Sequence, residues 1–179
     1  MERRSAKVNI SSAGGTAAKG SKTYKLTMPT KWMETMGVDE THREVDLTFD
    51  GVAVTLSPRL SGPEFAERQL ARGHQVRVFR LYDGDELCST IYADFTQQSV
   101  VVENQTVPHV KTAFGSNLLP NWEDFQGFLA ERCIPRQRAG LREYLEALGL
   151  DEYDPITIIE KTGGRMAEDQ QWLTVEALK

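Results

Sequence analysis

A single block, KTYKLTMPTKWMETMGV at residues 22–38, restricts the fold of this 179-residue chain more than any other feature. Tyr24, Leu26 and Met28 alternate with Thr23, Lys25 and Thr27, the period-two pattern of a half-buried strand. Pro29 ends that ladder and suits the first turn of a helix, where its missing N–H costs nothing. Trp32, Met33 and Met36 then form one apolar stripe, and Gly37 supplies a C-terminal stop. The block predicts a basic strand running into a short amphipathic helix.

The flanking sequence extends this pattern. Lys7 to Ser11 alternates with Val8 and Ile10 on one face, and the small, glycine-rich SAGGTAAKGS that follows reads as loop. Two further strands are expected at Val45–Phe49 and Val52–Leu56, joined through Asp50-Gly51, a dipeptide favoured in type I′ hairpins. Strand, loop, strand, helix and hairpin within residues 5–58 give too little core for a stable monomer, so an obligate dimer is expected.

Met28-Pro29, Trp32, Met36 and Gly37-Val38 fall where the AbrB/MazE/SpoVT-like swapped-hairpin DNA-binding family has Ile-Pro, Leu-x-x-x-Leu and Gly-Ile. The block resembles that family's signature. The resemblance implies a dimeric barrel of two interleaved chains, with Leu26, Met28, Trp32 and Met36 in the dimer core. It also implies contact with double-stranded DNA through the basic strand and loop, here Lys7, Lys19, Lys22, Lys25 and Lys31. Lysine stands where arginine usually leads in the family. A point charge reads guanine poorly, so phosphate-dominated, salt-sensitive binding is expected. Lysines that serve only solubility would look the same in sequence.

Charge distribution agrees with a basic head on an acidic body. Residues 1–32 carry seven basic side chains against Glu2 alone, a net +6, whereas residues 61–179 carry 12 basic and 19 acidic, a net −7. A polyanion is attracted to the first segment and repelled by the average surface of the second. The whole-chain net charge of −5 hides this.

Residues 59–73 read as a linker with one helix from Pro63 to Arg72, capped by Ser61. Residues 74–179 read as an acidic α+β partner-binding domain. Strands at Val76–Leu81, Leu87–Ala93 and Ser99–Glu103 form a small antiparallel meander. Some three helices follow. Asn121 caps one bearing Trp122, Phe125, Phe128 and Leu129; Pro135 opens a longer one with Leu141, Tyr144, Leu145 and Leu148; Asp154-Pro155 opens one with Ile156, Ile158 and Ile159. The run from Trp172 is expected to pair back onto the sheet. The class is α+β throughout. This half is also similar to uncharacterised proteins of Firmicutes phages and mobile elements, a resemblance that implies context and no chemistry.

Enzyme chemistry is not expected. There is no phosphate-binding Gly-x-x-x-x-Gly-Lys-Ser/Thr loop and no Gly-x-Ser-x-Gly elbow. Glu160, Arg165, Glu168 and Asp169 surround Gly163-Gly164 without a nucleophile. His42, His74 and His109 are isolated from one another and from Cys88 and Cys133, so surface or turn histidines and no metal or cofactor are expected. Arg132, Arg136, Arg138 and Arg142 form a second cationic cluster, able to grip an acidic partner or to pair with Glu131, Glu143 and Glu146, with Arg138 and Arg142 on one helix face. No apolar run is long enough to span a bilayer, and MERRSAKVNISS lacks the apolar segment of a secretory signal, so a cytoplasmic setting is expected. The expected function is a dimeric transcriptional regulator or antitoxin-like autorepressor, with a toxin as the second domain's partner. The alternative is a phage-encoded anti-CRISPR inhibitor that binds a Cas9-type nuclease and DNA.

Overall fold

The computed structural model describes residues 2–13, 18 and 20–179, and is a mixed α+β structure. The chain divides into two compact units, Met1–Arg59 and Leu60–Lys179. Among the described residues no helix is long and apolar enough to cross a membrane.

In the first unit, β1 (Asn9–Ser12) and β2 (Lys22–Lys25) pair antiparallel, with Ile10 opposite Tyr24 and Asn9 opposite Lys25. Helix α1 (Thr30–Met36) follows Pro29, and Gly37 ends it at φ +77°, a left-handed conformation that glycine enters without a Cβ clash. Strands β3 (Val45–Phe49) and β4 (Val54–Pro58) form a second hairpin. The two hairpins are separate two-stranded sheets within one chain.

The expected two-residue Asp50-Gly51 turn is a four-residue loop instead, because Phe49 pairs with Val54. Its cause is local. The Asp50 carboxylate accepts from the N–H groups of both Val52 and Ala53, which folds the backbone round the side chain and draws those two residues out of the strand. The same bonds hold the Asp50 carboxyl below its ordinary pKa, Ala53's contributing most.

The second unit begins with α2 (Gly62–Leu70), so the segment expected as a linker carries a helix of the folded body. Ser61 and Glu64 form a reciprocal capping box, and Phe65, Ala66 and Gln69 are buried. Strands β5 (Val76–Asp83), β6 (Glu86–Asp94) and β7 (Ser99–Asn104) make the expected meander. Strand β8 (Gln171–Ala177) returns antiparallel to β5, giving the order β7-β6-β5-β8. Glycine at position 62 has a packing reason: a Cβ there would lie only 2.0 Å from the nearest ring carbon of Tyr92 on β6.

The other face of the sheet is covered by α3 (Trp122–Glu131) and α5 (Pro155–Thr162). Phe79 and Leu81 of β5, Ile91 and Ala93 of β6 and Leu173 of β8 meet Phe125, Phe128, Leu129 and Ile159 there. Each large side chain so buried stabilises the fold by roughly 1.5–3 kcal/mol. Asn121 caps α3 by accepting from Asp124 N at 3.0 Å, and the Asp124 carboxylate accepts from Asn121 N at 2.8 Å.

Helix α4 (Leu141–Leu148) is shorter than expected and does not start at Pro135. Gly140 sits at φ +81°, outside helical space, so residues 135–140 form turns and the helix can begin only at Leu141. The expected shared face of Arg138 and Arg142 is lost with that turn.

Candidate functional site

The first unit presents its apolar side chains to solvent. On the β3–β4 hairpin, residues directly opposite share a face, so Val45/Pro58, Leu47/Leu56 and Phe49/Val54 form an apolar ladder. Asp46, Thr48, Thr55 and Ser57 lie on the other face. Leu47, Phe49 and Val54 are 64%, 70% and 64% exposed. The β1–β2 hairpin repeats the pattern with Ile10, Tyr24 and, past the strand end, Leu26, all exposed. No described residue of this unit is buried.

The residues expected in a dimer core follow suit. Leu26 is exposed, and Met28, Trp32 and Met36 are only half-buried. The Trp32 indole N–H donates to Glu2 Oε2 at 2.7 Å, and the Arg4 guanidinium lies 5.8 Å from its ring centroid. The N-terminal segment thus folds back over α1.

The lysines of this unit do not gather on one face. Lys22 and Lys25 are three apart in one strand, so they point to opposite sides. Lys25 shares the polar face with Asn9, Ser11 and Thr23, and Lys22 lies on the Ile10/Tyr24 face. Lys7 precedes β1 and is exposed. Lys31, on α1, is 3.9 Å from Glu2. Lys19 lies outside the described residues.

In the second unit the four arginines also separate. Arg132 is occupied: it bonds Asp169 at 2.9 Å and Gln171, and its guanidinium lies 5.9 Å from the Phe128 centroid. Arg142 bonds Glu146 one turn on at 3.0 Å, the expected pairing within a helix face. Arg136 stacks on Tyr153 at 4.4 Å, and neither it nor Arg138 has a carboxylate partner among the described residues.

Arg136 lies on the wall of a cavity of about 640 Å³. Phe95, Trp122, Phe125, Leu129 and Ile156 supply its apolar lining, with Glu131, Tyr153 and Asp154 beside them. The Trp122 ring stands edge-on to Phe95, centroids 5.1 Å apart at 88°. Asp154 caps α5, accepting from Thr157 N at 2.9 Å and Oγ1 at 2.5 Å. Burial pushes its carboxyl upward, and those bonds more than offset it, leaving the pKa below the ordinary value. Close by, Cys133 donates to the Pro155 carbonyl at 3.6 Å. Burial, and then the Asp154 charge, push the Cys133 thiol up to about 11.

This cavity is not legible in the sequence, because its walls come from four separated segments. His74 lies just after a turn, as expected, but its partner was not foreseen: its Nδ1 lies 2.8 Å from the fully buried Asp94 carboxylate. Twenty residues separate the two, with no motif to link them. Of the expected carboxylate group, Glu160 pairs with Arg77 and Asp169 with Arg132, while Arg165 lies over Trp172. No cluster of three or more metal-ligating side chains exists among the described residues. Comparison with protein-family models, curated proteins and solved structures finds no match to this chain.

Proposed function

We propose that this chain is a dimeric DNA-binding protein whose basic first unit completes its core against a second copy, and whose acidic second unit carries the regulatory or partner-binding role. The observation that carries this reading is the coreless first unit. Two hairpins, each with an apolar face exposed, need about as much apolar surface again to become stable. A second copy offers the same faces, and an isologous pairing satisfies both chains at once. The interleaved barrel implied by the Met28-Pro29…Gly37-Val38 resemblance is one such pairing.

Charge favours DNA as the polyanion. The dimer doubles a segment that carries +6 over its first 32 residues. Lys25 lies on the polar hairpin face that this pairing leaves free, where a lysine suits a phosphate contact better than base reading. The reading is a transcriptional regulator or autorepressor with modest sequence preference.

Mobility-shift titration of the full chain on random duplex DNA at two salt concentrations tests it. Binding at low salt is expected, with log K falling by about 0.9 per neutralised phosphate for each unit of log salt. A Lys19/Lys22/Lys25→Ala variant is expected to bind weakly and with a shallower salt slope. Absence of binding at low salt, or wild-type affinity in the triple variant, would sink the DNA assignment.

A further inference from the structure

The cavity beside α3 combines three features that bear on one ligand class. Its volume of about 640 Å³ lies within the range of small-molecule sites, and its lining is mainly aromatic and aliphatic. Its cation is preorganised: Arg136 rides 4.4 Å above Tyr153, whose hydroxyl is anchored to the Ile134 carbonyl at 2.8 Å. That guanidinium lacks a carboxylate partner among the described residues, whereas Arg132 and Arg142 nearby both have one.

The two acidic wall residues keep their charge but are held differently. Asp154 is committed to Thr157 at the start of α5. Glu131 is exposed at the end of α3 and bonds nothing among the described residues, so it acts as a repulsive rim charge. We infer that the cavity is a binding site for a small apolar carboxylate, an aromatic or medium-chain aliphatic acid. Its ring or chain packs against Trp122, Pro155 and Ile156, and its carboxylate meets the Arg136 fork. A neutral ligand leaves the guanidinium unmatched, and a cationic one offers no acceptor to its N–H fork. This assignment concerns the second unit and is independent of DNA binding.

The test is calorimetric titration of the full chain with two matched sets: indole-3-acetate, indole-3-acetamide and tryptamine, then octanoate and octanamide. At least one acid is expected to saturate with Kd below about 1 mM, roughly tenfold tighter than its amide, with the amine weakest. Arg136→Gln should abolish the preference for acid over amide while sparing the weaker amide binding. Glu131→Gln should tighten the acid by removing the opposing charge. Ala130→Trp, a lining position on the exposed side of α3, should block acid and amide alike, and Arg142→Gln should change nothing. Melting curves of the variants separate loss of the site from loss of the fold. No saturable acid binding below 1 mM, equal binding of acid and amide, or wild-type acid affinity in Arg136→Gln would overturn the assignment.

Discussion

Asp94 shows how a single side chain organises the second unit. It is completely buried at the end of β6, and its Oδ1 accepts from the N–H groups of Thr96 and Gln97. Its Oδ2 takes the Nδ1 contact from His74, which approaches from the turn after α2. A buried carboxylate deprived of a partner carries its desolvation cost uncompensated. His74→Ala is therefore expected to lower stability by about 1–3 kcal/mol, read as a lower urea midpoint from tryptophan fluorescence. Cys133 makes a second residue-scale prediction. A folded-state pKa of about 11 keeps the thiol protonated where a free cysteine already reacts. Alkylation of the native chain should stay slow at pH 9 and accelerate as pH approaches 11. The linkage has the same sign: the raised pKa contributes stability that is complete below pH 9 and is lost as pH rises towards 11.

At the scale of elements, what could be read from sequence is what local chemistry decides. Ser61 and Asn121 cap the helices they were expected to cap, Gly37 ends α1, and the three-strand meander falls where β-branched runs placed it. The return of the run from Trp172 onto the sheet was likewise legible, while its neighbour, β5, was not. Failures arose where a side chain or a backbone angle overruled a pattern. Asp50 turned a favoured dipeptide into a wider loop, and Gly140 cut short a helix whose apolar spacing extended smoothly from Leu141. The cavity was illegible for a different reason: Phe95, Trp122, Arg136 and Ile156 converge only through tertiary packing. Within β3–β4, the apolar ladder yields a prediction of its own. Phe49→Asp places a charge at the loop end of the apolar face that the proposed dimer would cover. In the full chain it should weaken self-association at least tenfold in sedimentation velocity, because burying an unpaired carboxylate is costly. The second unit, whose core lies elsewhere, should keep its melting transition.

The whole chain joins a unit with its own core to one without a buried residue among those described. The second unit has a core of aromatic and branched side chains and helices on both faces of its sheet. The first has hairpins, caps and turns in working order but no buried residue among those described. On the proposed reading association completes this local order, and the net +6 of residues 1–32 is the charge that a polyanion would meet. Sedimentation equilibrium of the full chain, run at micromolar concentration with the fraction of protected first-unit amides followed by hydrogen exchange, tests this most directly. A species of twice the chain mass, with β1–β4 amides protected only in that species, is the predicted result. A monomer whose first-unit amides are as well protected as those of β5 and β6 would contradict it.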